Sequence, residues 1–229
     1  MRLDAYIAHA TGLSRRQVKQ HIRNGDVRVD DVVRPLFATS IADNQAVWLQ
    51  GERLVLPGPR YLMLNKPVGV VSSTTDRDGT SVLQLLPAAL RRNLHIVGRL
   101  DADTTGLLLL SNDGQWSHRI TSPRSGCAKV YRVTLDRELD SAAQAQLESG
   151  VLLHGESALT LPAQVSRVDP RTVRLTISEG RYHQVKRMLA AVGNHVISLH
   201  REQIGGLSLD PALAAGEYRN LTEDEVRLF

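Results

Sequence analysis

A single cysteine, Cys127, occurs in the 229 residues. Its solitude excludes an internal disulfide and any cysteine-cluster zinc site. No partner that would activate a thiol is identifiable, so Cys127 reads as a small inert side chain. No apolar run approaches the roughly 18 residues that a bilayer-spanning helix requires. The first residues, Met-Arg-Leu-Asp, begin an amphipathic pattern without the apolar stretch of a secretory leader, and the expected location is the cytoplasm. There is no glycine-rich nucleotide loop, and no His, Cys and carboxylate residues stand at metal-ligand spacing; no cofactor and no metal are expected. His183, His195 and His200 accordingly read as ordinary core or surface histidines.

A large charge imbalance is missing too. The formal charge is only +4, although the pI is about 9.5, so net charge argues weakly for a polyanionic partner. Where the cations cluster must decide. Hydrophobic content of 42% and charged content of 23% lie near soluble globular averages, and the length suits one large or two modest domains.

Residues 1–57 form one expected unit. Leu3, Ile7 and Ala10 recur at helical spacing until Gly12, and Ser14 with Gln17 makes a capping box for a second helix that Gly25 closes. On that helix Val18 and Ile22 face inward, whereas Arg15, Lys19 and Arg23 share one row with Arg16 alongside. No acidic residue lies between Ser14 and Asn24. Such a row is either a solvated face or a contact to a phosphate backbone. Val27–Val29 and Val47–Leu49 read as strands, with Asp30-Asp31 as a hairpin turn. Residues 58–60, around Gly58-Pro59, are the expected linker, and residues 61–229 the larger unit.

In the larger unit, apolar runs at Leu94–Val97 and Leu107–Leu110 flank a loop of Arg99, Asp101, Asp103 and Thr104. On spacing alone this is a solvated turn or a platform for carboxylates. Calcium is excluded: Asp101, Asp103 and Gly106 fit the loop template, but Thr105 and Asn112 stand at two of its ligand positions, and Leu107–Leu110 put apolar side chains where oxygen donors are needed. From Gly114 to Leu135 there is no acidic residue, while Arg119, Arg124, Lys129 and Arg132 all occur, which tips the balance toward RNA contact. Tyr131, Val133 and Leu135 alternate on one strand face, and by itself Tyr131 reads as core. Further expectations are helices capped by Ser81, by Ser141 with Gln144, and by Thr222 with Glu225. Another helix carries Val185, Leu189 and Val192 inward. Lys186 falls at the edge of that stripe; half-buried, it needs an anion, and Asp101 is the candidate.

Gly98-Arg99-Leu100-Asp101-Ala102-Asp103-Thr104-Thr105-Gly106-Leu107 resembles the active-site signature of the pseudouridine synthases, in the branch acting on bacterial ribosomal RNA. Asn65-Lys66-Pro67-Val68-Gly69, Lys129-Val130-Tyr131 and His183-Gln184-Val185-Lys186-Arg187 resemble three further motifs of that family, in the expected order. The N-terminal pattern resembles the S-four RNA-binding module, with Asp30-Asp31 where Asn-Gly is common. These resemblances imply an α+β fold: a small S-four-type module, then a catalytic domain on a mixed, mainly antiparallel sheet with flanking helices. They imply Asp101 as the catalytic residue, Tyr131 against the target base and Lys186 as the cation paired with Asp101. Lys66 and Pro67 are assigned a structural role. Arg99, Arg15, Arg16, Lys19, Arg23, Arg119 and Lys129 are the expected RNA contacts. The implied partner is small-subunit ribosomal RNA, bound by a monomer with no membrane association. Two alternatives share these residues: a large-subunit RNA substrate, and a non-catalytic RNA-binding assembly factor.

Overall fold

The structure, a computed structural model, describes every residue except Arg34 and Asp43. The chain divides into two compact units, Met1–Pro59 and Arg60–Phe229.

The first unit packs helices α1 (Leu3–Thr11) and α2 (Arg15–Asn24) on strands β1 (Val27–Val29), β2 (Val32–Val33), β3 (Val47–Leu49) and β4 (Glu52–Arg53), antiparallel in the order β2-β1-β3-β4. The apolar periodicity becomes the core: Leu3, Ile7, Val18, Ile22, Val27 and Val47 are all buried together. Ser14 and Gln17 cap α2 reciprocally, and Gly25 ends it in the left-handed conformation. At the β1–β2 turn, Asp30 itself takes a left-handed φ of 48°. Its carboxylate recovers part of that cost by accepting the amide of Ala46 at 2.9 Å and the side chain of Gln45 at 3.0 Å.

The second unit is built on one mixed sheet. Its elements are β5 (Tyr61–Lys66), α3 (Ala88–Arg91), β6 (His95–Val97), β7 (Thr105–Ser111), α4 (Gly114–Thr121), β8 (Lys129–Leu135), α5 (Ser141–Ser149), β9 (Gln164–Asp169), β10 (Thr172–Ile177), α6 (Gln184–Ala191), β11 (Val196–Ile204), β12 (Leu207–Ser208), β13 (Tyr218–Asn220) and α7 (Glu223–Arg227). The strand order is β13-β5-β7-β11-β8-β10-β9; β6 joins β7, and β12 joins β11. Only β7 and β11 run parallel; the other pairings are antiparallel.

Strand β7 lies inside the sheet and is buried on both faces, as its unbroken leucines require. Leu108 and Leu110 pack with Tyr131, Val133 and α6, whereas Leu107 and Leu109 pack with Trp116 and Ile120 of α4. The sheet therefore has a core on each side. Asp113 caps α4; Thr222 caps α7 and Ser81 the turn after it, as expected, but α5 is capped by Asp140, not Ser141. The Asp140 carboxylate accepts the Ala143 amide at 2.7 Å and places Ser141 inside the first turn. No described helix is long and apolar enough to cross a membrane.

Candidate active site

One edge of β7 is shared. Strand β6 pairs with its second half, Leu109–Ser111, and β11 pairs with its first two residues, Thr105 and Gly106. Residues 98–104 leave the sheet where those two partners part, so the loop stands over a gap in the hydrogen-bond ladder. Arg201 of β11 fills that gap. It is 2% exposed, donates Nε to the Leu107 carbonyl at 2.8 Å and donates Nη2 to the Gly98 carbonyl at 2.7 Å. Its guanidinium thus replaces ladder bonds that no strand is present to make. Close approach of β11 depends on Gly106, whose φ is 101° and where a Cβ would lie 2.4 Å from the Arg201 carbonyl oxygen.

The rest of the loop is held just as firmly. Lys66, fully buried at the end of β5, donates Nζ to the carbonyls of Pro67, Ala102 and Thr104 at 3.1, 3.3 and 2.9 Å. Burial pulls its ammonium down to about 8, against the upward pull of Asp103 and Asp101. The Ser72 hydroxyl donates to the Leu100 carbonyl at 2.7 Å and accepts the Leu100 amide at 3.1 Å. The Gly69 amide reaches the Ala102 carbonyl at 2.8 Å. The main chain on both sides of Asp101 is fixed before any ligand arrives.

Asp101 itself points at α6. Its Oδ2 accepts from Lys186 Nζ at 2.8 Å, and its Oδ1 lies 3.4 Å from His183 Nε2. Lys186 also reaches Asp103 Oδ1 at 2.6 Å, so one ammonium bridges two carboxylates. Burial pushes the Lys186 ammonium down, but the two carboxylates outweigh it and hold the group above the usual lysine range. The hydrogen bond from Lys186 holds the Asp103 carboxyl below its ordinary value, more than burial raises it. Asp101 and Lys186 are 29% and 26% exposed at the side chain: accessible to a ligand, yet sheltered enough for the pairing to matter.

The segment carrying Lys186 is braced by a second charged network. Arg181 binds Glu156 at 2.5 Å and Glu179 at 3.1 Å, and Arg187 binds Glu156 at 2.7 Å. Gln184, buried in the first turn of α6, adds a bond to Glu179 at 2.6 Å. His183 precedes the helix in the left-handed region, φ 47°, which few side-chain-bearing residues adopt. The histidine expected to be ordinary, His183, lies beside Asp101. The turn that starts α6 aims the His183 ring at Asp101 and stacks it on Tyr182, with centroids 3.7 Å apart.

Tyr131 stands on β8 directly opposite Arg201, 9% exposed, its hydroxyl 3.5 Å from Arg201 Nη1. Asp101, Tyr131, Lys186 and Arg99 line one cleft together with Ile177, Leu199 and Val185. The expected contacts elsewhere are not in it. Arg119 lies on α4, on the opposite side of the sheet, and donates Nε to the Phe229 carbonyl at 2.6 Å. Lys129, at the start of β8, turns back to the Cys127 carbonyl at 2.5 Å. Arg15, Arg16, Lys19 and Arg23 are exposed on α2, where no salt bridge to a described residue engages them. Lys19 Nζ lies 4.8 Å from the Phe37 ring centroid. Among the described residues no cluster of His, Cys and carboxylate side chains could hold a metal.

Sequence reasoning missed Arg201 and did not foresee what Lys66 touches. The signal was strand alternation: Lys66 shares a face with buried Leu62 and Leu64, and Arg201 shares one with buried Leu199. A cation on a buried face must find acceptors there.

The family model for RNA pseudouridylate synthase matches residues 60–191, the span that holds Asp101, Tyr131 and Lys186. The chain belongs to that family and is a pseudouridine synthase, an isomerase acting on RNA. Over 227 residues it is 52% identical to the ribosomal small subunit pseudouridine synthase A of Escherichia coli strain K12, covering 99% of this chain and 98% of that protein. The protein of the same name from Vibrio cholerae is 50% identical over 226 residues, with the same coverage. A solved structure described as a pseudouridylate synthase superposes with a TM-score of 0.75 at 44% identity, covering all of both chains.

Proposed function

We propose that the protein isomerises one uridine of 16S ribosomal RNA, that at position 516, in the cytoplasm, and that Asp101 is the catalytic residue. The supporting observation is the Asp101 carboxylate, charge-paired with Lys186 at 2.8 Å in a cleft that Tyr131 also lines.

The reaction breaks the bond from the sugar carbon to N1 of the base. The uracil turns, a bond forms from the same sugar carbon to C5, and the C5 proton is lost while N1 gains one. Atoms and electrons balance without an oxidant. An ionised carboxylate serves this chemistry by attacking the sugar carbon, or by balancing its positive charge and then taking the C5 proton. Both roles need a charged, fixed carboxylate; Lys186 supplies the counter-charge, and the Lys66, Ser72 and Arg201 bonds supply the fixity. Tyr131 presents its ring to the extruded base, and the apolar lining keeps the detached uracil from exchanging with solvent.

Turning a base out of its stack costs a few kcal/mol, which contacts to the RNA backbone must offset. Residues 1–57, as an S-four-type RNA-binding domain, contribute through the row Arg15, Lys19 and Arg23 with Arg16, and Arg99 contributes beside the cleft.

The test is Asp101→Asn, incubated with small- and large-subunit RNA, with pseudouridine mapped by carbodiimide-dependent reverse-transcription stops. The parent is expected to give one stop in small-subunit RNA and the variant none, while RNA binding persists. Turnover by the variant would refute the catalytic assignment, and a stop in large-subunit RNA alone would refute the substrate.

A further inference from the structure

We propose that Tyr182 is a stacking platform for the nucleobase adjoining the target uridine in the bound RNA. This deepens the reading above and rests on Asp101 as the site of isomerisation. Tyr182 is 75% exposed, yet its ring is not loose: it lies on His183 with centroids 3.7 Å apart and planes 21° from parallel. One face is therefore covered, and the exposure leaves the other open. His183 in turn sets Nε2 3.4 Å from Asp101 Oδ1. A base laid on Tyr182 would continue a column of rings that ends at the catalytic carboxylate.

The mounting is rigid. The Tyr182 carbonyl accepts from Arg187 at 3.1 Å, and His183 is locked in its left-handed turn at the start of α6. Charge on this rim points the same way. Arg181 and Arg187 are both engaged by Glu156, so the immediate surroundings of Tyr182 offer a flat apolar face and not free cations for phosphate. An exposed ring beside a pocket that takes one unstacked base is suited to the base left behind, because every nucleobase presents a π-face.

The experiment uses the full chain and an RNA fragment spanning the mapped uridine. Tyr182→Ala is expected to raise KM about tenfold, the loss of one base–aromatic stack, with kcat within about twofold of the parent. Tyr182→Phe and Tyr182→Trp, which keep a ring, are expected to stay within about twofold of the parent KM. With 2-aminopurine placed at each nucleotide flanking the target, the parent is expected to quench one position on binding, and Tyr182→Ala to leave it bright. The proposal is overturned by an unchanged KM in Tyr182→Ala, by Phe behaving as Ala does, or by no quenching that depends on Tyr182. Any of these with Asp101→Asn inactive sinks this inference alone; an active Asp101→Asn sinks the reading beneath it.

Discussion

Replacing Gly106 by alanine adds one methyl group at the point where the active loop, β7 and β11 converge. The new Cβ would lie 2.4 Å from the Arg201 carbonyl oxygen and 2.8 Å from its amide nitrogen, whereas ordinary contact begins at 3.4 Å. Both close neighbours are backbone, so β11 must retreat by about 1 Å, the difference between 3.4 and 2.4. The same retreat stretches the Arg201 bonds to Gly98 and Leu107, now 2.7 and 2.8 Å, past hydrogen-bonding range. Two charge-assisted bonds are worth about 1.5–3 kcal/mol each. The φ of 101° adds about 1–3 kcal/mol for any residue with a side chain. The sum, about 4–9 kcal/mol, is comparable to the whole stability of many domains.

At about 2–4 °C per kcal/mol, the melting temperature should fall by about 8–36 °C. Circular dichroism melts of the parent and Gly106→Ala measure it. Single-turnover isomerisation below the new melting temperature tests whether freeing Gly98 also slows the chemistry, as expected. Gly114→Ala is the control: it begins α4, meets nothing within 4 Å, and should change stability by less than about 1 kcal/mol. If Gly106→Ala also loses less than about 1 kcal/mol, the account of Arg201 as the substitute for missing ladder bonds is wrong.

Lys186→Met, which leaves Asp101 and Asp103 without their shared cation, should lower kcat by about 10²–10³ with little change in RNA affinity; Lys186→Arg should recover part, and equal rates for Met and parent would exclude an electrostatic role. Glu225 is held at about 2 by hydrogen bonds from Arg219, against 4.5 unfolded, so its stabilisation is complete above pH 4.5 and is lost as pH falls toward 2. Urea unfolding at pH 6 and pH 3 should therefore show a loss in the parent that Glu225→Gln reduces by about 1–2 kcal/mol; parallel losses would disprove the linkage. Reversing Arg15, Lys19 and Arg23 to Glu should weaken RNA binding and flatten its dependence on log salt by about 2, roughly 0.7 for each phosphate contact, while kcat at saturating RNA is kept; an unchanged slope would remove α2 from the interface.

Local rules carried far in this chain. Ser14, Gly12, Gly25 and Thr222 cap helices as their spacing required, and the leucines of β7 are buried on both faces as an unbroken apolar strand must be. Lys186 at the edge of its stripe found Asp101 because a half-buried ammonium has few other choices. What could not be read was long-range pairing. Arg201 is 100 residues from Asp101 in sequence, and its role exists only because β6 and β11 divide one edge of β7, a fact of topology that no local pattern encodes. The His183 ring is directed by its left-handed turn and not by its neighbours in sequence. Asp140 displaced Ser141 as the α5 cap because two adjacent capping residues compete, and the carboxylate won the helix amide.

Both ends of the loop that carries Asp101 hang from interior cations, Lys66 and Arg201, whose partners are peptide oxygens. Such an anvil has no give. On the proposed role of Asp101, accommodation falls on the RNA, which must deliver its sugar to a carboxylate whose loop is held at both ends. Discrimination between uridines would then track how readily each local duplex distorts, and sequence changes far from the cleaved bond could alter turnover without touching the protein at all.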